Sequence, residues 1–237
     1  MIGRRAVLGC CVMLTSAAGC DYLFQLDHID RGRDAASTDA TKDGAGDAVD
    51  AVGWGGPCET MTPTFRDTFD GPLVCSQWDS KYDDTGTTVV EDGMLKITAN
   101  ANSVAGCKKN TSLPFGKGVT AVVPEVVRGA GAYTVLQIHD ANLQILASGE
   151  DNKLRFQTSA SADIGTPVTY AATMKWWRIR PGASAIVGEY STDGTNWIML
   201  GSQITTVPTL IGIEITVGAG NSPSMGTGTF DELTLCP

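Results

Sequence analysis

Between residues 58 and 237 one pattern recurs: runs of four to nine residues, alternating or rich in β-branched side chains, with Gly, Asn, Asp and Ser between them. The runs fall at 65–69, 87–90, 94–98, 119–127, 132–139, 143–147, 154–159, 168–173, 175–180, 185–191, 196–200, 211–217 and 229–235. Alternation at period two gives each run one apolar face, and such strands must stack as sheets to cover it. No amphipathic stretch of useful helical length interrupts them. Glu91-Asp92-Gly93, Glu150-Asp151-Asn152-Lys153 and Asp193-Gly194 carry residues that tolerate the positive φ of tight hairpins. Many short antiparallel strands in one unit large enough for a substantial core predict an all-β protein, an antiparallel β-sandwich.

The amino terminus reads differently. Arg4 and Arg5 precede an apolar run over 6–14 and the small residues Thr15, Ser16, Ala17, Ala18 and Gly19 before Cys20. This is the pattern of a secretory signal, and its apolar run is about half the ~20 residues a spanning helix requires. Ala17-Ala18-Gly19-Cys20 resembles the lipobox of bacterial lipoproteins, with Ala17 where Leu is usual. The resemblance implies cleavage before Cys20 and acylation there, and ordinary signal-peptidase cleavage is the alternative. More than one acyl chain gives stable anchoring. The expected organisation is a signal peptide at 1–19, an acidic disordered tether at 20–57 and one folded domain at 58–237. The tether carries Asp at 21, 27, 30, 34, 39, 43, 47 and 50 and cannot bury a core. The expected location is outside the cytoplasm, lipid-anchored to a bacterial membrane at the periplasmic face or the cell surface.

Charge and cysteines narrow the partners. Removing Arg4 and Arg5 with the signal leaves Lys+Arg 15 against Asp+Glu 26, a net charge of −11 that repels nucleic-acid phosphates and anionic head groups. Membrane contact then comes from the lipid, and no nucleic-acid partner is expected; the chain is expected to be a monomer. Cys58, Cys75, Cys107 and Cys236 remain in the domain, an even number in an oxidising compartment. Three connectivities exist in principle. Cys58 with Cys236 is favoured because one opens and the other closes the domain, which leaves Cys75 with Cys107. Zinc is the competing use of these thiols, but no pair has the short Cys-x-x-Cys spacing.

Several stretches resemble the concanavalin A-like lectin/glucanase superfamily, in particular its laminin-G-like jelly rolls. Phe65-Arg66-Asp67-Thr68-Phe69-Asp70 with Trp78 is similar to its first strand, and Val90-Glu91-Asp92-Gly93-Met94-Leu95-Lys96-Ile97 to its second hairpin. Trp176-Trp177-Arg178-Ile179-Arg180, then Glu189-Tyr190-Ser191-Thr192-Asp193-Gly194-Thr195-Asn196-Trp197 and Phe230-Asp231-Glu232-Leu233, continue the likeness. It implies a jelly roll whose first and last strands pair, which also brings Cys58 near Cys236. It further implies a structural calcium, for which Asp231 and Asp67 are the candidate ligands; no other cofactor is expected.

Glucanases of that superfamily carry Glu-x-Asp-x-x-Glu, because retaining hydrolysis needs two carboxyl groups about 5–5.5 Å apart on one face. None of Glu59, Glu91, Glu125, Glu150, Glu189, Glu214 and Glu232 has Asp two positions later. No Gly-x-Ser-x-Gly elbow occurs, and His139 is the domain's one histidine. The sequence therefore leads to the expectation of no catalytic residues and no enzyme, but a non-catalytic domain that binds carbohydrate or another surface polymer. A protein-interaction module of the envelope is the first alternative and an unrecognised polysaccharide hydrolase the second. Alternation puts Trp177 and Ile179 inward and Trp176, Arg178 and Arg180 outward. On that polar side Trp176 and Arg178 are expected to join Gln137 and His139, Arg155 and Gln157, and Glu189 in one carbohydrate site. A plain Arg178–Glu189 cross-strand pair, with Trp176 under a loop, is the structural alternative.

Overall fold

The computed structural model describes residues 58, 61–83, 86–219 and 226–237; the expected signal peptide, Cys20 and the expected tether lie outside the described residues. Sixteen strands and no helix occur among them. They are β1 (Phe65–Asp67), β2 (Ser80–Asp83), β3 (Thr87–Glu91), β4 (Met94–Ala99), β5 (Ser103–Pro114), β6 (Gly118–Val122), β7 (Tyr133–Ile138) and β8 (Leu143–Ser148). The second half adds β9 (Lys153–Thr158), β10 (Val168–Thr169), β11 (Trp176–Pro181), β12 (Ala185–Ser191), β13 (Trp197–Ile204), β14 (Leu210–Ala219), β15 (Gly226–Phe230) and β16 (Glu232–Cys236).

These strands make a six-stranded sheet in the order β1-β16-β6-β11-β12-β13 and a seven-stranded sheet in the order β10-β9-β8-β7-β14-β5-β2. A smaller sheet, β15-β4-β3, completes the sandwich. All pairings between these strands are antiparallel. As the resemblance implies, the first and last strands pair, with Asp67 opposite Leu233. The β3–β4 hairpin turns through Asp92 and Gly93, both at positive φ (56° and 69°), a backbone that a β-branched residue would resist.

The core lies between the two large sheets. Trp177 and Ile179 on β11, Leu136 and Ile138 on β7, Phe156 on β9 and Ile213, Ile215 and Val217 on β14 point into it and are buried. Trp78 is buried as well, its ring edge-on to Phe65 at 5.2 Å between centroids. Gly188 on β12 lets the Phe156 ring of the opposite sheet lie against the backbone, where any Cβ would overlap it. Two disulfides close the domain: Cys58–Cys236, with Cα atoms 5.4 Å apart across 178 residues, and Cys75–Cys107, 5.8 Å apart across 32. Each typically contributes about 2–4 kcal/mol.

Gly188→Val forces a branched side chain into the Phe156 ring, and overpacking of this kind costs about 1–3 kcal/mol. A thermal midpoint several degrees below wild type is expected, and an unchanged midpoint would contradict the inter-sheet contact.

Candidate functional site

The residues expected to form one carbohydrate site are divided between two faces. Trp176 and Arg178 on β11 and Glu189 on β12 lie on the outside of the six-stranded sheet, whereas Gln137 on β7 and Arg155 and Gln157 on β9 lie on the outside of the seven-stranded one. His139, just past β7, belongs with the second group. Alternation within each strand was right, and the error lay in which sheet each strand joins. The whole core separates the two groups, so the single site of the sequence reading is corrected to two faces.

On the six-stranded face Arg178, Arg180 and Glu189 are occupied with one another. Arg178 stands opposite Glu189 in the ladder and donates to its Oε2 at 2.7 Å, and Arg180 donates to both carboxylate oxygens. The Arg178 guanidinium also stacks on Trp197, 3.9 Å from the ring centroid. This is the cross-strand pair of the structural alternative, a carboxylate shared by two guanidinium groups.

The seven-stranded face is different. Ile213, Ile215 and Val217 point inward on β14, which turns Glu214 and Thr216 outward. Glu214 is half-buried between two partners: Tyr82 of β2 donates its hydroxyl to Oε1, and His139 Nε2 lies 2.8 Å from Oε2. Burial alone pushes the Glu214 carboxyl up, but the bonds from His139 and Tyr82, with the charges of His139 and Lys108, outweigh it and hold the carboxyl below its ordinary value. Burial, then the Glu214 contact, drives the Tyr82 phenol well above its usual range. Neither Tyr82 nor Glu214 was singled out from the sequence as a site residue. The alternation of 211–217 exposes Glu214, but β2 has only four residues and little apolar pattern, so nothing placed Tyr82 beside it.

Beside this cluster runs a row of amides. Glu214 pairs with Gln137, Gln137 with Gln144 and Gln144 with Gln157, one residue on each of β14, β7, β8 and β9. Arg155 on the same face is clamped by Asp151 and Asp163, the latter at 2.7 Å.

The calcium candidates do not fit the ion as a pair. Asp67 is buried and both its oxygens are spent, Oδ1 accepting from the Phe69 amide at 3.0 Å and Oδ2 from the Trp78 indole at 2.7 Å. Its role is to hold Trp78 in the core. Burial, with the charges of Glu232 and Asp70, raises the Asp231 carboxyl. No group of three His, Cys, Asp or Glu side chains gathers among the described residues.

The architecture has close counterparts among solved structures. The fold is the concanavalin A-like jelly roll. The catalytic domain of an endo-1,3-beta-glucanase (laminarinase) from Thermotoga petrophila RKU-1 matches at 11% identity and a TM-score of 0.55, over 73% of this chain and 96% of its own. Bacillus licheniformis beta-glucanase matches at 11% and 0.52, over 73% and 97%. A non-specific endo-beta-1,3(4)-glucanase from family GH16 matches at 10% and 0.55, over 73% and 93%. No family model matches the chain, and no curated protein matches it in sequence. These structures correct the sequence reading on function: the same jelly roll, over nearly the full length of each counterpart, is the scaffold of polysaccharide hydrolases, so the expectation of a non-catalytic binder and of no enzyme is withdrawn.

A carboxyl held below its ordinary value stabilises the fold above the unfolded glutamate value of about 4.3, and that contribution is lost as the pH falls through the lower folded value. The midpoint gap between wild type and Glu214→Gln should be widest near neutrality and close on acidification. A gap that does not change between neutrality and acid would contradict the Tyr82–Glu214–His139 arrangement.

Proposed function

We propose that this domain is a polysaccharide hydrolase of the cell envelope, with its chemical centre at Tyr82, Glu214 and His139. The observation that carries this reading is the half-buried Glu214 carboxylate, held ionised between a phenol and an imidazole on the outer face of the seven-stranded sheet. The scaffold's solved counterparts, named for action on 1,3-beta- and 1,3(4)-beta-glucans, support a polysaccharide substrate.

Since the chain lacks Glu-x-Asp-x-x-Glu, the chemistry cannot be copied from that pattern. Glu214 and His139 are in direct contact, too close to flank a sugar from opposite sides as an acid and a base must. They form instead one side of a reaction: nucleophile, base and orienting group in a line. Tyr82 supplies the oxygen that attacks the anomeric carbon, as tyrosine does in sialidases. Glu214 takes the phenolic proton as Tyr82 attacks, the departing glycosidic oxygen on the opposite face takes its proton from water, and a second water then releases the sugar from Tyr82, which recovers its proton from Glu214. His139 holds Glu214 in place. The raised Tyr82 phenol makes the adjacent carboxylate necessary.

The protein reaches its substrate as an exported lipoprotein acylated at Cys20, the acidic tether holding the domain clear of the bilayer. Cys20→Ala should move the protein from the membrane to the soluble fraction; a variant that stays with the membrane would contradict the anchor.

The activity is tested by release of reducing ends from β-1,3-glucan, mixed-linkage β-glucan and chitin by the purified full-length protein. Tyr82→Phe and Glu214→Gln should each lose at least about a hundredfold, the range that a positioned base contributes. No release from any polymer, or a Glu214→Gln protein as active as wild type, would overturn the reading.

A further inference from the structure

Gln157 is 4% exposed and Gln144 8% exposed, and the two stand in cross-strand register on β9 and β8. Both face outward from the seven-stranded sheet, since Ile145 and Phe156 beside them point into the core.

Gln157 opens into a cavity of about 320 Å³ between β7, β8, β9 and the 161–163 loop. One wall is apolar, made by Ala132, Leu146 and the Tyr133 ring, which lies flat over Gly218. The rest of the lining is polar: Ser148, Ser161, Gln157, Glu150 and the Arg155–Asp163 ion pair. The size suits one sugar ring with a substituent and is at the small end of ligand sites.

We infer that this cavity is a subsite for a 2-acetamido sugar, with Gln157 as its specificity-determining residue. A carboxamide presents one acceptor and one N–H donor pair in a plane, and an acetamido group offers the reciprocal donor and acceptor in the same plane. The acetyl methyl needs an apolar wall, which Leu146 and Ala132 supply, and the sugar's C–H face needs an aromatic one, which Tyr133 supplies. A plain hydroxyl at the same position can satisfy half of the amide and leaves the apolar wall bare. Gln144 and Gln137 continue the row toward Glu214, three strands away, or roughly 14 Å at ~4.8 Å per strand. The substrate therefore spans several sugar units between the chemical centre and this subsite. The inference rests on the hydrolase reading for its orientation and names the substrate class of the same face.

The test uses the full-length protein carrying Glu214→Gln, so that binding is read without turnover. Chitotetraose and cellotetraose, which differ only in acetamido against hydroxyl at each ring, are titrated calorimetrically. The expected result is at least tenfold tighter binding of chitotetraose. Adding Gln157→Leu should abolish that preference, with the thermal midpoint of the variant showing that it folds. Equal binding of both sugars, binding of neither, or a preference that survives Gln157→Leu would overturn the subsite. Failure of the hydrolase reading shows separately, as a wild-type protein that prefers chitotetraose and cleaves nothing.

Discussion

Period-two alternation in two stacked sheets governs this molecule. Each strand must give one face to the shared core, so its remaining side chains are committed to one outer surface with a layer about 10 Å thick between it and the other. Gly188 and Phe156 mark how closely the layers meet: a ring from one sheet rests on the backbone of the other. A functional constellation can then be assembled only from strands that are neighbours within one sheet. The order β9-β8-β7-β14-β5-β2 decides which residues those are.

The two outer surfaces use their polar groups in opposite ways. On the six-stranded face Arg178, Arg180 and Glu189 satisfy one another, and the Trp197 ring covers the one guanidinium that burial pulls below its ordinary value. The seven-stranded face holds a carboxylate stabilised in its charged form beside a row of glutamines on neighbouring strands. The Cys75–Cys107 disulfide contributes at a distance, because it ties the loop before β2 to β5 at the sheet edge and so fixes where Tyr82 sits.

The sandwich was legible because its strands obey their period: Leu136 and Ile138, Phe156, and Trp177 and Ile179 all point inward as alternation requires. The hairpin at Asp92-Gly93 and the pairing of first and last strands were legible for equally local reasons. β5 was missed although it is the longest strand, because Gly106, Cys107, Lys108, Lys109 and Asn110 break any apolar alternation. With β5 unseen, β2 beside it and Tyr82 on it had no place. Gln137, Arg155 and Gln157 share one outer face, while Trp176, Arg178 and Glu189 lie across the core from them, because strand order within sheets is a long-range property that no local pattern records. The missing carboxylate motif was read as a missing activity, when its absence bears only on one chemical solution.

The most direct measurement is amide hydrogen exchange on the full-length Glu214→Gln protein with and without a saturating oligosaccharide. Slowed exchange in β7, β8, β9 and β14, with β11, β12 and β13 unchanged, is the predicted result. Protection centred on Trp176 and Arg178 instead would place the ligand on the other side of the core and contradict the account.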